Sequence, residues 1–182
     1  MDRWQGVLEQ VRNHQVSPID MRPAWRALAY REAEGQPEPV VRAQAFGRVL
    51  FEDARHFYEG DRLCGSHVGW FAEALPEGMS QADYDALVAE HRARGQRDFW
   101  AGWDHSLADY PTLLDVGLGG LLARARASLE AHDIPGERAV LQGMIVALQA
   151  FSTAIARWAD AAAARGDSAL ADVTRHVATE PP

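Results

Sequence analysis

The residues best placed to do chemistry lie in the stretch "FWAGWDHSLADYP", where His105 stands next to Asp104 and four residues before Asp109. Trp100, Trp103 and Tyr110 surround them in sequence. An imidazole that titrates near neutrality, among aromatic walls and a few carboxylates, has the composition of a ligand pocket able to exchange hydrogen bonds or protons with a substrate oxygen. The same composition also describes a surface loop packed by its own aromatics, with His105 bonded to a neighbour. Both readings stand on the residues alone.

The other candidates are weaker. Cys64, the only cysteine, lies in "DRLCGSH". A lone thiol in a chain with several histidines suggests a nucleophile, but no activating partner is identifiable nearby. A small buried hydrophobe at the end of a strand is the simpler reading. Seven histidines occur: His14, His56, His67, His91, His105, His132 and His176. None forms an H-E-x-x-H pair, so a metal site would gather ligands from distant segments. Neither a glycine-rich phosphate loop nor a G-x-S-x-G elbow is present. Glu32, Glu34, Glu52 and Asp53 read as solvated helix ends, with Arg22, Arg26, Arg42 and Arg48 available as ion-pair partners.

These residues must be positioned by helices, because the dominant periodicity is helical. A short helix is expected in "WQGVLEQVRNH". A second follows Asp20, read as its N-cap, with Pro23 in the first turn, Trp25, Leu28 and Ala29 on one face, and Gly35 at its end. In the third, Val41, Ala45 and Val49 step by four beside Phe46 and Leu50, giving one apolar stripe. "HFYEGDRLCGSHVGW" is the one extended stretch, a hairpin turning near Gly60. A helix opens at Ser80, with Asp83 in the capping-box position, and stops at Gly95. Another opens at Asp109 with Pro111 in its first turn. Its Gly117, Gly119 and Gly120 cost about 1 kcal/mol each against Ala, a cost that close approach by another backbone would offset. The longest helix carries Leu141, Met144, Ile145, Leu148, Phe151, Ile155 and Trp158, and is expected to be buried on most sides.

Composition bounds the class. An apolar share of 47% and six tryptophans in 182 residues give a folded chain with a real core. A net charge of −8 argues against a general nucleic-acid binder. The single cysteine excludes an internal disulfide. "MDRWQGVLEQ" is no signal peptide, and no apolar run approaches the length of about 18 residues that spans a membrane. The chain reads as cytoplasmic, with neither nucleic acid nor membrane as partner. All 18 basic residues are arginine, from which no function follows.

Three separated stretches, in order, resemble the pyruvate formate-lyase domain of the glycyl radical enzymes. "IDMRPAWRALAYREAEGQPEPVVRAQAFGRVL" is similar to that domain's opening, with Glu34-Gly35-Gln36-Pro37 and Arg42-Ala43 in the positions of its E-G-x-P turn and R-A helix. "FYEGDRLCGSH" resembles its hairpin, with Gly65 matched and Cys64 where an aliphatic residue is usual. "DHSLADYPTLLDVGLGGLL" resembles its G-H-x-x-x-D-Y-x-x-L-L-x-x-G-L-x-G-I segment through His105, Asp109, Tyr110, Leu113, Leu114, Gly117, Leu118 and Gly120. Asp104 replaces the usual Gly. "VTRHVATEPP" fits the turn after the long helix, with Ala178 where a first proline is common.

The resemblance covers residues 18–182 and leaves 1–17 as an N-terminal helix or arm. It implies a mostly α fold, a helical layer with one short β-hairpin, equivalent to the N-terminal helical part of a ten-stranded α/β barrel. It favours the lyase and dehydratase branch. Relatives of this kind use a catalytic Cys and a protein glycyl radical, installed by an S-adenosylmethionine and iron–sulfur activating enzyme. Cys64 is followed by Gly65-Ser66 in the wrong element, and no "RVxGY" loop occurs. The expectation is therefore an N-terminal portion without catalytic residues or cofactor of its own, from a parent that is a homodimer acting on a small polar substrate. His105, and less directly Asp109, are the residues the resemblance places at that substrate. A stand-alone helical binding or regulatory module is the alternative, and an unrelated helical metal protein a third.

Overall fold

The computed structural model describes residues 19–52, 57, 71–72, 74–95 and 109–181. Among these residues two short strands and six helices follow in order: β1 (Ile19–Asp20), α1 (Arg22–Glu32), α2 (Glu38–Glu52), β2 (Phe71–Ala72), α3 (Gln81–Ala93), α4 (Tyr110–Ala131), α5 (Pro135–Ala164) and α6 (Ser168–Val177). The fold is mostly helical. The expected first helix and most of the expected hairpin fall outside the described residues. The pairing that is described is long-range rather than a hairpin: β1 runs antiparallel to β2, with Ile19 opposite Ala72 and Asp20 opposite Phe71.

That pairing changes the role of Asp20. It belongs to β1, and the N-cap of α1 is Met21, whose side chain bonds nothing. The Asp20 carboxylate instead accepts the Arg22 backbone N–H at 3.1 Å and the Arg22 guanidinium at 2.8 and 2.5 Å. Arg22 is buried, so this fork supplies the charge partner that an interior guanidinium requires. The hydroxyl of Tyr84 on α3 donates to the Asp20 carbonyl at 3.0 Å and ties the strand to the next helix.

α5 is the spine. α2, α4 and α6 pack along it, and α1 bridges α2 and α3. Small residues permit the closest approach: a Cβ on Gly143 would stand 2.6 Å from the Pro39 carbonyl oxygen, and one on Gly47 2.9 Å from the Ala150 Cβ. One core cluster gathers Met21, Ala24, Trp25, Ala27, Val49 and Leu87; a second joins Ala29, Tyr30 and Ala33 to Val41 and Ala45. The apolar stripe of α2 is therefore narrower than its periodicity suggests. Val41, Ala45 and Val49 are buried, whereas Phe46 is exposed.

Two expectations about α5 are corrected. It is not buried on most sides: of its described residues only Gly143, Ala154, Trp158, Ala159 and Ala162 are, while Val140, Met144 and Phe151 face outward. Its 30 residues also include an 18-residue window of mean hydropathy 1.7, long and apolar enough to cross a bilayer by length and composition. Only 17% of that window is buried, although α2, α4 and α6 pack along the helix.

Candidate functional site

α4 positions the candidate residues, and it begins as its sequence dictates. The Asp109 Oδ1 accepts the Thr112 backbone N–H at 3.1 Å, and Pro111 sits in the first turn. The hydrogen bonds from Thr112 hold the Asp109 carboxyl below the usual carboxylate range. One oxygen of this candidate residue is thus committed to capping a helix. His105, Asp104 and Cys64 lie outside the described residues.

Seven residues on, the helix breaks. Gly117 takes φ 63 and ψ −177, so α4 is two helical segments joined by a kink. Breaking the ladder leaves the first N–H groups of the second segment without helical acceptors. Gly119 finds its acceptor in the tail segment after α6: its N–H donates to the Thr179 carbonyl at 2.7 Å. The approach is tight enough to demand glycine twice. A Cβ on Gly117 would lie 2.5 Å from the Pro181 nitrogen, and one on Gly119 2.5 Å from the Thr179 oxygen. The close backbone expected from this glycine group is thus the segment 179–181.

The tail is held from two further sides. Ser152 Oγ on α5 donates to the Ala178 carbonyl at 2.6 Å, and the His176 Nε2 lies 2.9 Å from the Pro181 carbonyl oxygen. The opposite end of α4 is closed by Arg138, whose guanidinium donates to the Leu129 and His132 carbonyls, both at 2.7 Å. These are the C-terminal carbonyls that a helix leaves unpaired.

Between α4 and α5 lies an open apolar groove of about 530 Å³, walled by Phe46, Leu121, Leu141, Met144, Leu148 and Phe151. Met144 is 51% and Phe151 41% exposed, large values for such side chains on one surface. Tyr110 and Leu114 are exposed on the first segment of α4. An apolar face with so few polar groups performs no proton transfer; what it can do is lie against something. Among the described residues no three His, Cys, Asp or Glu side chains are grouped to hold a metal ion.

Sequence reasoning missed a second grouping. Tyr30, Glu38 and Arg94 join Arg26 and Arg42 around one concavity. The signal was present as spacing: 26 and 30, 38, 42 and 46, and 90 and 94 each repeat every four residues. Nothing in the sequence told which of those rows would face one another.

No family model matches the sequence, and no curated protein matches it. Solved structures do match in fold. A glycerol-bound B12-independent glycerol dehydratase from Clostridium butyricum superposes with a TM-score of 0.77 at 17% identity, over 100% of this chain and 32% of that one. A structure concerned with 1,2-propanediol dehydration in Roseburia inulinivorans gives 0.73 at 15%, over 100% and 30%. A glycyl radical enzyme from Archaeoglobus fulgidus gives 0.76 at 17%, over 100% and 32%. The chain spans about a third of the length of these proteins. The resemblance read from three motifs therefore extends, as fold, along the whole chain.

Proposed function

We propose that this chain is the N-terminal helical part of a glycyl radical enzyme of the lyase and dehydratase branch, whose parent breaks a bond in a small polar substrate. The observation that carries the reading is the fold match along all of this chain to about a third of each glycyl radical neighbour. The apolar face of α4 and α5 that the described residues leave exposed supports it, since a partial layer exposes the side meant for the rest of the enzyme. A stand-alone module, the alternative reading, would be expected to cover such a face.

On this proposal the chain turns over no substrate by itself. Glycyl radical chemistry needs a thiol beside a backbone radical in a cavity sealed from water and oxygen. No step of it is assigned to residues of this chain. Its contribution is to cover the cavity and, through His105, to exchange a hydrogen bond with a substrate oxygen. Asp109 helps by fixing the start of the helix that follows His105. The parent acts in the cytoplasm as a homodimer and receives its radical from an activating enzyme.

The test is reconstitution. The DNA following the codon for Pro182 should continue in frame into a G-C-x-E motif. In the full protein so encoded, His105→Ala should lower kcat/KM about tenfold or more, the scale of one lost substrate hydrogen bond. Unchanged kcat/KM would remove the role of His105, and a frame without the cysteine motif would remove the parent.

A further inference from the structure

The first segment of α4 has little packing of its own. None of residues 110–116 is buried, whereas Gly117 and Leu118 at the joint are. About two helical turns without a buried face take no direction from a core, so their direction is set at the joint. The joint residue is a glycine at φ 63, and with no Cβ its backbone leaves the angle soft. What fixes the angle lies outside the helix.

The segment 178–181 is tied to three helices at once. The Ala178 carbonyl accepts from Ser152 Oγ on α5 at 2.6 Å, and the Thr179 carbonyl from the Gly119 N–H on α4 at 2.7 Å. The Pro181 carbonyl oxygen lies 2.9 Å from Nε2 of His176 on α6, and since a carbonyl only accepts, that nitrogen carries the proton. Ala178 is buried, and the Pro181 backbone, with φ fixed by its ring, stands against Gly117. The angle also bears on a candidate site residue. An unbroken helix would put Arg124 about 22 Å of rise beyond Asp109. Yet after the Thr112 hydrogen bonds, the charge of Arg124 also lowers the Asp109 pKa, so the joint turns the two segments toward each other.

We propose that segment 178–181 is a strap that sets the angle of the Gly117 joint, with Ser152 and His176 as positioning residues for the whole stretch from Asp109 to Val116. The proposal does not depend on the function proposed above. Residue-resolved amide hydrogen exchange on the full chain tests it. Ser152→Ala should speed exchange about tenfold at Gly119 and from Leu113 to Val116, and leave residues 121–131 nearly unchanged. His176→Ala, at an exposed position, should act the same way to a smaller degree, and His176→Gln, which keeps a donor, should act less still. Ser80→Ala is the control, because it removes the α3 capping box and lowers stability without touching the joint. Spin labels at Asp115→Cys and Ala127→Cys, both exposed positions, read the angle itself in a Cys64→Ser background. One narrow distance is expected with the strap intact and a broad distribution in Ser152→Ala. Should Ser152→Ala not fold, His176→Ala carries both measurements. Equal acceleration at every slow amide, or a distance distribution unchanged in the strap variants, would overturn the proposal.

Discussion

Glu90 receives Arg31 Nε at 2.7 Å on one oxygen and Arg94 at 2.9 Å on the other. The hydrogen bonds from Arg31, then those from Arg94, depress its pKa. A carboxyl depressed in the folded state contributes stability above its unfolded value and loses it as pH falls through the folded one. Replacing Glu90 by Gln should therefore cost up to about 1 kcal/mol at neutral pH, the range of exposed ion pairs. The difference from the parent should vanish progressively below about pH 4. Urea unfolding at several pH values checks this, and a pH-independent difference would show that packing dominates. At this scale the sequence was partly legible. The Ser80–Asp83 capping box and the Asp109 cap are local patterns, and both form. Asp20 was misread because capping and ion pairing use the same side chain, and a strand partner some fifty residues away decides between them. His105 was singled out by its aromatic neighbours and lies outside the described residues.

α4 shows what periodicity can and cannot convey about an element. Its start and the cost of its glycines were readable. The kink and the identity of the approaching backbone were not, since Thr179 enters from the far end of the chain. Gly119→Ala should gain about 1 kcal/mol of helix propensity and lose more to the clash with the Thr179 carbonyl, for a net destabilisation of about 1–3 kcal/mol. Gly136→Ala, with nothing within 4 Å of its Cβ, isolates the propensity gain. Denaturant midpoints of the two variants should move in opposite directions, and a stabilising Gly119→Ala would show that the tail yields. For α5 the failure of sequence reasoning is different. Its apolar residues occupy more faces than the described elements cover, so periodicity predicted burial that only Ala154, Trp158, Ala159 and Ala162 fully achieve in its C-terminal half.

For the whole molecule, the prediction concerns the groove between α4 and α5. If that face belongs to an interface and not to the chain's own core, polar substitutions there should cost little. Met144→Gln with Phe151→Gln should leave stability within about 0.5 kcal/mol while reducing dye binding and self-association. Trp158→Ala should cost about 3–5 kcal/mol, because Trp158 is buried and meets Phe57 edge-on with ring centres 5.1 Å apart. Sedimentation velocity and chemical unfolding together decide; a loss above about 2 kcal/mol in the double variant would place the groove in the core. The mostly helical class and the kinship of fold were legible because ordered motifs span nearly the whole chain. The face was not, because coverage is a property of neighbours. The clasp of the tail on the kink carries a consequence for biosynthesis. A ribosome releases α4 before it releases Thr179, so the Gly119 amide must rely on water until that segment emerges. The joint at Gly117 therefore sets only after the segment 179–181 has emerged, and nascent chains arrested just short of that threonine should show it still loose.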